Sequence, residues 1–149
     1  MTSASHQSVA RSKNGFWLAL LLNFIWVNLS EIWRYLVVVR PMIQAIFPAQ
    51  ADKAPFTLPV FMSWSVWDTW LIFAATGFYW LYLNWAGLGM KQALIAATAF
   101  TITVFGLLWL GIVNMGLLPP HFIWNALPLA WVEQAVAAAI VSWVMRQKA

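Results

Sequence analysis

Apolar residues gather into four runs, approximately residues 16–39, 60–82, 93–115 and 123–145, separated by stretches that carry most of the prolines and charges. Each run reaches the ~20 residues that a helix needs to cross ~30 Å of hydrocarbon. The pattern therefore predicts an all-α integral membrane protein, a single domain over residues 1–149 built as a four-transmembrane-helix bundle. The predicted connections are an extended, proline-containing outward loop over 40–59, a short turn at "NWAGLGMK", and "GLLPPHF" before the last helix. Irregular backbone then falls only at helix ends, as a bilayer requires.

Polar residues inside the runs keep to particular faces. At ~100° per residue, Asn23, Val27, Asn28, Ser30, Glu31, Arg34 and Tyr35 occupy one half of the first helix. Leu18, Leu22, Ile25, Trp26, Leu29, Ile32, Trp33 and Leu36 occupy the other half, which is expected to meet lipid. Glu31 and Arg34 are three residues apart and can pair. In the second helix Ser65, Asp68, Thr76, Tyr79 and Tyr82 share a stripe with Trp64, opposite Val66, Trp70 and Phe73. Asp68 follows Val60, and Glu31 precedes Val39, by the same interval of ~12 Å at ~1.5 Å per residue. The two acids are thus expected at one depth, in the outer half.

In the fourth helix Glu133 shares a face with Ala126, Ala130 and Ala137, small residues that allow close helix contact and turn the acid inward. Its depth matches the other acids if the helix begins near Ile123, and is shallower if Pro128 stands in the first turn. The third helix has no ionisable residue. Its Thr98, Thr101, Thr103, Gly106, Gly111 and Asn114 suit packing, with the two glycines expected to permit close approach. Asn114 and His121 are expected as polar rim groups at the outer end.

Composition narrows the class. Of the 149 residues 63% are hydrophobic and 8% are charged, against ~25% charged in soluble domains, which removes both a soluble globule and a disordered chain. The absence of cysteine excludes disulfides, thiolate metal sites, iron–sulfur clusters and thiol redox chemistry within the chain. Of the basic residues, Arg11, Lys13, Lys91, Arg146 and Lys148 fall on one predicted side and Arg40 and Lys53 on the other. The positive-inside rule then places both termini in the cytoplasm of a multi-pass protein of a bacterial-type inner (plasma) membrane. No basic face remains for nucleic acid. Trp17, Trp80, Trp85 and Trp143 lie near the inner boundary, and Trp33, Trp64, Trp109 and Trp124 towards the outer one, as in an aromatic belt. The run Ala49-Gln50-Ala51 could end a signal peptide, but the apolar region before it is too long and is interrupted by Glu31 and Arg34.

The intramembrane charges are the candidate chemistry. A charge at the bilayer centre costs roughly 2.5–3.5 kcal/mol on insertion scales. Glu31, Arg34, Asp68 and Glu133 are therefore the candidate ligand- and proton-binding residues. Asn28, Tyr35, Ser65, Tyr79, Asn114 and His121 are supporting polar groups, and Trp64 and Trp67 offer ring faces to a cation. Arg34 can neutralise one carboxylate; if the three acids share a cavity, protons or a bound cation must balance the other two. Two other roles are open: Glu31–Arg34 as a purely structural pair, or Arg34 as a fork for a carboxylate or phosphate able to displace Glu31.

No catalytic residue is assigned. The chain has no Glu-x-x-His pair, H-E-x-x-H, G-x-S-x-G, Walker loop or Rossmann glycine pattern. His6 and His121 fall on opposite predicted sides and cannot jointly ligate a haem, so neither a cofactor nor a metal is expected. Four short helices with an acid in the first resemble, in architecture alone, small proton-coupled multidrug exporters. The acids of helices two and four, Arg34 and the long first loop have no place in that pattern, and fold analogy assigns no function. The expectation is a pocket that binds, and moves with proton coupling, a small cationic or amphiphilic molecule, in a homodimer. The alternatives are a non-catalytic accessory or assembly subunit of a larger membrane complex, and an enzyme acting on a lipid or isoprenoid through a carboxylate pair.

Overall fold

The computed structural model describes residues 3–46 and 57–148, with side chains over 14–46 and 57–147, and the four apolar runs are four long helices in it. Helix α1, residues 3–46, is α-helical over Ser3–Arg34 and Arg40–Ile46, with a π-helical stretch at Tyr35–Val39 between them. Helix α2 is Leu58–Ala86. Helix α3, Met90–Asn114, contains a second π-helical stretch at Thr101–Gly106, and α4 is His121–Lys148. No strand occurs among the described residues.

Most helix ends lie beyond the apolar runs. Hydropathy marks what hydrocarbon could cover, whereas a helix persists as long as its backbone groups stay paired. The outward loop expected from residue 40 is the main correction, because α1 continues to Ile46; residues 47–56, with Lys53 and the Ala49–Ala51 run, lie outside the described residues. The proline at 41 does not stop the helix. A Pro41 ring in a regular α-helix would strike the carbonyl of Val37 and offer it no N–H. The widened turn relieves this, and the Arg40 N–H bonds the carbonyl of Tyr35, five residues back.

Three helices, Asn14–Ile46, Met90–Asn114 and His121–Gln147, are long and apolar enough to cross a membrane. Helix α2 has 29 residues, so length does not exclude it. Its serines, threonines, Asp68 and the polar edges of its many Trp and Tyr side chains lower its hydropathy.

Helix α4 is the hub, packing against α1, α2 and α3, while α1 and α3 lie on opposite sides of the bundle. Small side chains let α3 and α4 into the core: Ala93, Ala96 and Ala97 of α3 and Ala130, Ala137 and Ala138 of α4 are all buried in one cluster. The glycines expected to serve this purpose do not. A Cβ on Gly106 would meet only the Thr101 carbonyl oxygen at 3.8 Å, and one on Gly111 would meet nothing within 4 Å. Edge-on rings at 5.6 Å join Phe16 of α1 to Trp80 of α2, and Trp109 of α3 meets Phe122 of α4 at 5.1 Å. Gly87 ends α2 at φ 93°, a left-handed value that favours glycine, with its N–H on the Leu83 carbonyl at 3.0 Å. Pro128 is interior to α4, so the helix does not begin at that proline, and Glu133 sits ~18 Å along it from His121 at ~1.5 Å per residue.

Candidate functional site

The site grows from the contact of α1 with α4. Trp26 of α1 donates its indole N–H to the backbone carbonyl of Glu133 at 3.0 Å, pinning the two helices at that level. Ala126, Ala130 and Ala137, on the face of Glu133, are buried as well, and the Glu133 side chain is only 1% exposed. Gln134 donates Nε2–H to Glu133 Oε1 at 3.2 Å, and its own Oε1 accepts the Tyr79 hydroxyl at 2.7 Å. A hydrogen-bonded chain thus runs from α2 through Gln134 to one oxygen of the carboxyl. The other, Oε2, is buried and has no hydrogen-bond partner among the described residues. The Ser30 hydroxyl also approaches this carboxyl. Unpartnered buried polar atoms are rare enough to need a reason.

Glu31 and Arg34 form the expected ion pair across one turn of α1, with both side chains largely buried. The pair is within electrostatic reach of Asp68 on α2 and of Glu133 on α4. The Glu31–Arg34 pair is thus the common electrostatic neighbour of Asp68 and of Glu133. A cleft of about 260 Å³ opens between α1 and α4, with apolar walls from Trp26, Leu29, Trp33, Leu129 and Val132. Its polar groups are Ser30, Arg34 and Glu133. Asp68 is half-buried and does not line it.

The other candidates are dispersed. Asn28 donates to the Phe24 carbonyl at 2.7 Å and Ser65 to the Phe61 carbonyl at 2.9 Å, each within its own helix. The Tyr35 ring lies 6.3 Å from Trp64, joining α1 to α2. Trp64 and Trp67 are half-exposed, and neither lines the cleft. Asn114 and His121 are exposed at the α3–α4 turn. Among the described residues no three His, Asp or Glu side chains come together as ligands for a metal ion.

Trp26, Ser30 and Gln134 complete the site. Trp26 lies on the half of α1 expected to face lipid, yet it is only partly exposed and bonds α4. Gln134 is ~100° around from Glu133, and both are buried because α4 is enclosed on a broad arc. Ala138, as small as Ala137 and adjacent to it, is the signal in the chain for that width. A second buried bond, Asn23 Nδ2–H to Thr76 Oγ1 at 3.0 Å, ties α1 to α2.

Compared with known proteins, the chain matches no family model, no curated protein and no solved structure.

Proposed function

We propose that this chain is a multi-pass membrane protein whose α1–α4 cleft binds a small cationic or amphiphilic molecule and exchanges it for a proton. The observation that carries the reading is Glu133. A carboxyl only 1% exposed, with one oxygen anchored through Gln134 and the other without a partner, is a costly arrangement for packing alone. A cationic group of a ligand would complete it. Arg34 and Glu31 neutralise each other beside the cleft, which leaves the Glu133 carboxyl as the group that trades a proton for a cation. The Trp26 and Trp33 rings, on the walls of the cleft, offer faces to the cation. Large apolar side chains such as Leu21, Ile25, Leu29, Leu81, Leu107 and Trp124 are exposed on the outer faces of the helices, a surface suited to lipid. A homodimer in a bacterial-type inner membrane is the assembly this reading favours, because four helices leave little room for a complete pathway.

The test is binding of tetraphenylphosphonium to the protein in lipid nanodiscs, with proton release followed by a pH indicator. Saturable binding with proton release in the wild type, and neither in Glu133→Gln, is expected; equal binding in both proteins refutes the reading. The accessory-subunit reading draws on the N-terminal end of α2, where residues 58–64 are all exposed. A different protein co-purifying in fixed stoichiometry would favour it.

A further inference from the structure

The position and opening of the cleft bear on what its ligand is. Glu133 is twelve residues from His121, and Arg34 is twelve from Ile46, about 18 Å along each helix at ~1.5 Å per residue. The cleft therefore lies well in from the outer ends of α1 and α4. It opens at their flank: Leu29, Trp33 and Val132 on its walls are 63%, 55% and 50% exposed. In a bilayer that flank faces acyl chains. A strongly hydrated cation has no favourable way through such a mouth, since shedding water there is expensive. An uncharged base with an apolar chain is concentrated in the bilayer and meets the mouth directly.

Resting on the proposed role of Glu133, we infer that the ligand is a lipophilic amine that enters sideways from the bilayer between α1 and α4. The amine arrives neutral and takes the carboxyl proton of Glu133. The O–H bond breaks, an N–H bond forms, and an ammonium–carboxylate pair remains with no net charge carried in. The N–H of the new ammonium supplies the partner that Oε2 lacks. The chain lies along Leu29, Trp33 and Val132. Arg34, held by Glu31, stays at the edge of the cleft and disfavours a second cation.

The experiment is equilibrium dialysis of proteoliposomes, corrected for protein-free liposomes, with N,N-dimethyldodecylamine and with trimethylamine, which has a similar head and no chain. Wild type, Glu133→Gln, and Leu29→Trp and Val132→Trp, which narrow the mouth from either helix and leave the acid in place, are compared. Dimethyldodecylamine is expected to bind in a Glu133-dependent manner, with one proton left in the water for each amine that is an ammonium there, and at least about tenfold more tightly than trimethylamine, because each added methylene favours the bilayer. Both tryptophan variants are expected to weaken it, because their added bulk takes the space of the chain along the mouth. Trimethylamine binding as tightly through Glu133, or tryptophan variants that change nothing, would overturn lateral access by an amphiphile and leave the proton-exchange reading intact. Loss of Glu133-dependent binding for both amines, with tetraphenylphosphonium still bound, would overturn the amine assignment alone. Failure of all three probes would remove both.

Discussion

The Glu133 carboxyl is held from one side. Oε1 receives Gln134, Gln134 receives Tyr79, and all three side chains are buried, so a change anywhere in this chain leaves a polar atom stranded. Tyr79→Phe removes the donor to Gln134 Oε1 and is expected to cost about 1–3 kcal/mol, the usual penalty for an unsatisfied buried acceptor. Gln134→Leu strands both the Tyr79 hydroxyl and Glu133 Oε1 and is expected to cost more. The double variant Tyr79→Phe, Gln134→Leu is expected to fall short of the sum, because neighbours in one network are not additive. Unfolding in mixed micelles measures all three, and strict additivity would show that the chain is not one unit. Tyr79 and Glu133 are legible in the sequence as polar residues on the inner stripes of their helices. Gln134 is not, because nothing in a linear pattern says that the buried arc of α4 is wide enough to include both 133 and 134.

Helix contacts in this bundle are set by alanine. On α4, Ala130, Ala137 and Ala138 are buried, and on α3 so are Ala93, Ala96 and Ala97. Gly111, which the sequence marks for close approach, faces open space. Two substitutions separate the alternatives. Ala97→Leu inserts bulk into a filled contact and is expected to destabilise by about 1–3 kcal/mol. Gly111→Ala meets no obstacle and is expected to be neutral or to stabilise by up to about 1 kcal/mol through helix propensity. Thermal unfolding of the two variants in the same detergent checks both, and a damaging Gly111→Ala would restore the glycine to an interface. The misreading has a physical source. Glycine permits close approach but does not cause it, and the packing of α4 decides which small residues are used. The π-helical turn before Pro41 is a similar case: a proline predicts an interruption, but whether the helix ends or widens depends on how the backbone re-pairs.

For the whole molecule, the apolar spans and the charge split together predict four crossings with both termini on one side. The native chain lacks cysteine, so single cysteines report topology cleanly. Leu117→Cys, in the turn between α3 and α4, is expected to react with a membrane-impermeant maleimide added to intact cells. Leu88→Cys, in the turn between α2 and α3, is expected to react only after permeabilisation. Both parent residues are exposed, so a reversed pattern would invert the topology, and labelling of both from outside would rule out four crossings.

By itself the sequence determined the helical class, the number of long helices, the Glu31–Arg34 pairing and the inward face of Glu133. Each follows from local spacing: ~20 apolar residues for a span, three residues for a pair on one face, and alanines at helical intervals for a contact surface. Tertiary structure alone decided that α4 is the hub and that Trp26 reaches across to the Glu133 carbonyl. It also decided that Tyr79 meets Gln134, and that Asp68 stays outside the cleft while remaining within reach of its charges. The reason is geometric. Periodicity specifies a direction around one helix axis, but a site is made where the directions of several helices converge, and that depends on the rotation and neighbours each helix takes in the bundle.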